Sequence, residues 1–105
     1  YLNVIDLLVD SDENYKLLFL SHYYLGNLYS EQELFEDELL MHKKAYYYST
    51  LLGDSMNIAY ALQAIGTTFL EIEKKDSALC YYEKARRIVL LLYIKSTDFC
   101  AYVSI

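Results

Sequence analysis

Three side chains in this sequence have the type and spacing to do chemistry: His22, Glu38 and His42. Glu38 and His42 are four residues apart, so on a helix both project from one face, one turn from each other. Imidazole and carboxylate groups are metal donors, but zinc takes about four ligands and these residues supply three at most. The competing reading is packing, with both histidines held by hydrogen bonds within their own structural unit, and that is the expectation. Neither a metal nor any other cofactor is implied. The carboxylates of "FEDELL", Phe35 to Leu40, could be read as an acid–base pair. They crowd the start of a helical pattern, however, where the helix dipole favours negative charge without any catalytic role. Cys80 and Cys100 form neither a Cys-x-x-Cys pair nor any zinc spacing. Cys80, within "ALCYYEKA", is read as a packing residue. Free thiols point to a reducing compartment and so to the cytoplasm. There is no Gly-x-Ser-x-Gly elbow, no phosphate loop and no suggestive Cys–His pair. No enzyme is expected.

The elements that must position these residues follow from composition. The 105 residues contain no proline and only three glycines, while 55% are hydrophobic. A chain with a large apolar fraction and so few turn makers suits long helices joined by short links. The most apolar run, Ile88 to Ile94, is too short to span a bilayer. A net charge of −6 disfavours nucleic acid, whose phosphates need a basic face. That charge is unevenly placed: residues 1–42 hold nine acids and one base, whereas 43–105 hold six acids and eight bases. The acidic portion is either a solvated face or a docking end for a basic partner. Both termini, Tyr1 and the apolar run ending at Ile105, read as cuts through a longer chain.

Gly26 and Gly66 each interrupt a helical run, in "YYLGNLY" and "QAIGTTF", at a cost of roughly 1 kcal/mol relative to alanine. They are forty residues apart. In the same register Leu25 matches Ile65, Tyr29 matches Phe69, Leu39 matches Leu79, Lys44-Ala45 matches Lys84-Ala85, and Leu51-Leu52 matches Leu91-Leu92. Each forty-residue unit carries two helical patterns. In Ile58 to Ile72 the apolar positions 58, 61, 62, 65, 69 and 72 recur at helical steps, as do 78, 79, 82, 85, 88, 89 and 92 further on. Caps are expected at Ser30 with Glu33 as a capping box, at Gly53, at Asp54 or Ser55, and at Asp76 or Ser77. Helices are predicted over 1–10, 14–30, 34–52, 56–72, 76–94 and 97–105. One helix pair cannot bury its own apolar face, so successive pairs must stack, and each glycine lets the second helix of a pair approach the first.

This pattern resembles the tetratricopeptide repeat family. Leu62, Ile65, Gly66, Phe69, Ala78, Tyr82 and Ala85 carry the family's residue types in order. The first unit is looser: His22, Leu25, Gly26, Tyr29, Glu38, His42 and Ala45, with His22, Glu38 and His42 departing from the pattern. The repeat is forty residues rather than the usual 34, as in the long arrays of signalling and regulatory proteins, and the family proline is missing. The resemblance implies an all-α, right-handed solenoid of antiparallel helix pairs. Residues 1–10 would end a preceding repeat, 14–53 and 54–94 would form two complete repeats, and 95–105 would start a third. It also places His22 and His42 at positions that face each other, where histidine would replace a large apolar or aromatic side chain. Tyr29, Tyr46 and Tyr82 would be core, while Tyr23, Tyr24 and Tyr60 lie off the core stripe.

First helices line the peptide groove of this family. By resemblance the groove residues are Leu20, Tyr23, Asn27 and Ser30 in the first unit, and Tyr60, Gln63, Thr67 and Leu70 in the second. Family members that clamp a terminal carboxylate use basic first-helix residues. Asn27 would fit such a clamp, but Lys16 is the only base on either complete first helix. The implied function is non-catalytic binding of a protein or peptide, as a scaffold or sensing module, without nucleic acid or membrane. Self-association through the solenoid ends is one alternative. The other is the repeat portion of a bacterial transcription regulator or sensor kinase whose effector domain lies outside these residues.

Overall fold

The structure, a computed structural model, describes residues 12–104, with side chains from Glu13 to Lys95. The expected helix at 1–10 lies outside the described residues. Four helices follow in order: α1 Asp12–Glu31, α2 Phe35–Leu52, α3 Ser55–Glu71 and α4 Lys75–Ser104. No strand occurs among them. The fold is all-α, with each helix packed mainly on its neighbours in sequence: α1 on α2, α2 on α3 and α3 on α4.

The turns repeat as faithfully as the helices. After α1, Glu33 N–H bonds Ser30 C=O at 3.0 Å and Leu34 N–H bonds Tyr29 C=O at 2.9 Å. After α3, forty residues on, Glu73 N–H bonds Leu70 C=O at 3.1 Å and Lys74 N–H bonds Phe69 C=O at 2.8 Å. Both are Schellman ends, which need one residue in the left-handed region. That residue is a glutamate each time, Glu33 at φ 59° and Glu73 at φ 64°, where glycine would be less strained. These turns correct two expected caps. Ser30 lies within α1 and Glu33 sits in the turn, so no capping box forms, and α2 starts after Leu34 without a side-chain cap. Asp76 and Ser77 likewise fall inside the first turn of α4. Between α2 and α3, Gly53 closes one helix at φ 77° as expected, and the Asp54 carboxylate accepts from Asn57 N–H at 3.2 Å to open the next.

Small residues set how closely the helices meet. Ala45 and Ala61 are completely buried and share a core cluster with Phe19, while Ala59, Leu62 and Ala85 form a second one. A Cβ built on Gly66 would meet the Tyr82 ring at 3.0 Å and Ala78 C=O at 3.2 Å; one on Gly26 would run into the His42 ring. Close approach of the paired helices therefore accounts for both mid-helix glycines. The forty-residue equivalence fails at Leu25, which is 37% exposed where Ile65 is 1% exposed. Cys80 is exposed and does not pack, contrary to expectation. α4 also runs unbroken through 94–97, so the separate helix expected from 97 does not form. Nothing in "YIKST", Tyr93 to Thr97, is a strong stop: there is no glycine to turn the chain and no proline to block it.

Candidate functional site

Polar groups buried in the first unit converge where α1, α2 and α3 meet. Glu38, His42 and Thr68 are 1%, 2% and 0% exposed. Thr68 Oγ1 lies 2.8 Å from Glu38 Oε2, 3.2 Å from His42 Nδ1 and 3.0 Å from Ala64 C=O. One hydroxyl has one proton, so it can donate to only one of these acceptors. The others are satisfied only if a proton also resides on Glu38 or on His42 Nδ1.

Burial pushes the Glu38 carboxyl up to about 7, with hydrogen bonding and charge from Glu71 adding to the rise and the Thr68 and Ser30 hydroxyls opposing it. Burial also lowers the pKa of His42, against a raising effect of the Glu71 charge. Glu71 sits on the last turn of α3, where Ser30 Oγ of α1 lies 3.3 and 3.5 Å from its two oxygens and can donate its one proton to either. Glu38 Oε1 and His42 Nε2 are buried with no hydrogen-bond partner. A buried polar atom left unpaired costs about 1–3 kcal/mol.

Above the cluster is a cavity of about 330 Å³ between α1 and α3. Six of the eight expected groove residues line it: Tyr23, Asn27, Ser30, Tyr60, Gln63 and Thr67. Glu38, His42 and Glu71 complete the polar lining. Leu20 instead borders a smaller neighbouring cavity of about 240 Å³, which it shares with Tyr23 and Tyr60. Leu70 is exposed and lines neither space. Tyr23 is anchored from below, its ring 5.6 Å from Phe19 and 5.8 Å from His42. Burial and the neighbouring Tyr24 and Tyr60 hydroxyls raise its pKa, so its phenol stays protonated.

The two histidines do not act as a pair. His22 Nδ1 bonds Leu18 C=O at 2.7 Å and its ring lies 5.3 Å from Tyr48. His42 instead turns toward Gly26 and reaches across to Thr68, so its hydrogen bond leaves the first unit rather than staying within it. Among the described residues no group of three or more His, Cys, Asp or Glu side chains is arranged to hold a metal. A larger cavity of about 570 Å³ lies between α3 and α4, walled by Met56, Tyr60, Tyr82, Val89, Leu90 and Tyr93. It contains none of the buried unpaired polar atoms.

Sequence reasoning missed Thr68 and Glu71. A signal existed: Glu38 and His42 stand where Ala78 and Tyr82 stand in the second unit, and polar groups at buried positions require polar partners nearby. No protein-family model matches the chain, and no curated protein or solved structure is significantly similar to it. No helix among the described residues is long and apolar enough to cross a membrane.

Proposed function

We propose that this chain is a non-catalytic peptide- or protein-binding module of the tetratricopeptide kind, and that the partner lies in the groove between α1 and α3. The observation that carries this reading is the convergence of Tyr23, Asn27, Ser30, Tyr60, Gln63 and Thr67, from two helices forty residues apart, on one cavity. Aromatic area beside amide and hydroxyl groups suits a peptide, which offers apolar side chains and backbone hydrogen-bonding groups together. A right-handed superhelical course of the helix pairs belongs to the same reading. So does a place within a larger scaffolding, sensing or regulatory protein.

The test is selection of binders from a displayed random dodecapeptide library, followed by titration of the selected peptides. Tyr60 is a cleaner probe than Tyr23, because it is 46% exposed and Tyr23 also packs on Phe19. Tyr60→Ala should weaken binding by about 1–3 kcal/mol if it anchors the peptide. Lys43→Ala, an exposed change on α2, should leave affinity unaltered. Loss of binding in Lys43→Ala with full affinity in Tyr60→Ala would put the site elsewhere.

A further inference from the structure

The lining of the α1–α3 cavity is chemically one-sided. It carries two carboxyl groups, Glu38 and Glu71, and no lysine or arginine. Two tyrosine rings, Tyr23 and Tyr60, border the same space, and Asn27 and Gln63 add amide oxygens that can turn inward. At the floor, Glu38 is 1% exposed, its Oε1 has no direct hydrogen bond, and its neighbours are the Glu71 carboxyl and the Ser30 hydroxyl rather than a basic group. Carboxylates, amide oxygens and aromatic faces share one preference, for a positively charged donor. The volume, about 330 Å³, is at the small end for a ligand site and suits a single side chain.

We infer that this cavity is a subsite for an organic cation, the guanidinium or ammonium group of a basic side chain, held between the Glu38 and Glu71 carboxyls against Tyr23 and Tyr60. This rests on the groove reading above and names the chemistry of its ligand. It reverses the polarity of a carboxylate clamp: here the acids belong to the groove and the base to the partner. The exposed acids Glu31, Glu33, Glu36 and Asp37, around the turn from α1 to α2, would steer such a ligand toward this site.

The titrating groups around Glu38 favour a proton-linked site. Glu71 on α3 raises its pKa, His42 on α2 is held neutral by burial, and Tyr23 on α1 and Tyr60 on α3 present phenols. In the free protein the Glu38 carboxyl retains a proton up to about pH 7. A cation entering between the acids takes that proton's place, the O–H bond of Glu38 breaks, and the proton leaves to solvent. Binding should therefore tighten as pH rises through 7.

The experiment uses the whole chain, ¹⁵N-labelled, titrated with acetyl-arginine amide and acetyl-lysine amide, with acetyl-citrulline amide as the neutral isostere. Saturable shifts of the His42, Thr67 and Thr68 amides are expected with one or both cations at pH 8. Citrulline should bind at least ten-fold more weakly, and the cation at least five-fold more weakly at pH 6. Glu71→Gln, at the rim, should lose about ten-fold in affinity with the spectrum otherwise intact; Glu38→Gln should lose as much and lose the pH dependence. Equal binding of citrulline, unchanged affinity in Glu71→Gln, or no saturable shift with either cation would each overturn the subsite. A selected peptide that needs Tyr60 but ignores Glu71→Gln would reject the subsite and leave the groove standing, whereas peptides indifferent to Tyr60 would remove the groove itself.

Discussion

The first and second units share the turn between their two helices and the mid-helix glycine, yet they fill the space over that glycine in opposite ways. Over Gly66 lies the Tyr82 ring, whose hydroxyl reaches outward to Thr67 Oγ1 at 2.8 Å and stays near solvent. Over Gly26 lies the His42 ring, buried with Nε2 unpaired and Nδ1 tied to Thr68. Ala78 lies beside Tyr82 in one unit; Glu38 takes that position in the other. A helix pair thus needs shape at these positions and tolerates polarity only where a neighbouring helix supplies partners. Thr68 and Glu71, both on α3, supply them to the first unit. The second unit is a packing solution, and the first is a packing solution with a polar site built into it.

The largest effect should come from filling the two glycines. Gly26→Leu should cost about 3 kcal/mol, because a buried histidine ring already tied to Thr68 has nowhere to go. The thermal midpoint should fall by roughly 10 °C or more. Gly66→Leu should cost about 1–3 kcal/mol. The alanine pair is the sharper comparison. Gly66→Ala should cost less than Gly26→Ala, since the Tyr82 ring and Ala78 C=O need give only a few tenths of an ångström against about 1 kcal/mol of helix propensity, whereas at Gly26 the Cβ runs into the His42 ring. Equal midpoints for the two alanine variants would erase the distinction between the units.

A somewhat smaller effect should appear in the pH dependence of stability, and only through the first unit. Glu38 has its carboxyl raised from an ordinary 4.5 to about 7 in the folded chain. Its contribution is complete below 4.5 and is lost as pH rises toward 7, on the order of 3 kcal/mol in all. His42 acts in the other direction. Its lowered pKa gives stability present above 6.5 and lost as pH falls through the folded value. Urea midpoints should accordingly be higher near pH 5.5 than at pH 8, and Glu38→Gln should abolish that excess and leave only the opposite, smaller slope from His42. A slope unchanged by Glu38→Gln would mean that the buried carboxyl titrates normally.

The smallest effect should be shared by both units. Glu33→Gly and Glu73→Gly each relieve a left-handed glutamate and should stabilise by about 0.5–1 kcal/mol. Midpoints rising for one and not the other would show that the two turns are not energetic equivalents.

Most of the scaffold was legible because it depends on spacing. Gly26 with Gly66 and Ala45 with Ala85 recur with the period, and Gly53 with Asp54 is a local turn signal readable without it. The site was only half legible. Tyr23, Gln63 and Thr67 were implied by the family resemblance, position by position, whereas the bond from Thr68 to Glu38 spans thirty residues and two helices. Glu38 stood out beside His42, but nothing local to it named Thr68 or Glu71 as the groups it would meet across the fold. The turns misled for the same local reason. Ser30 with Glu33 has the letters of a capping box, but the backbone closes α1 by its own hydrogen bonds and leaves the side chains unused.

Because each helix rests mainly on the helix before and after it, loop closures are short and few contacts join distant parts of the chain. Low contact order of this sort favours folding in the microsecond-to-millisecond range, with nucleation possible at any helix pair. It also removes any single central core that must open all at once. Amide hydrogens should then exchange along a gradient, fastest in α1 and along α4 and slowest where α2 meets α3 around Thr68.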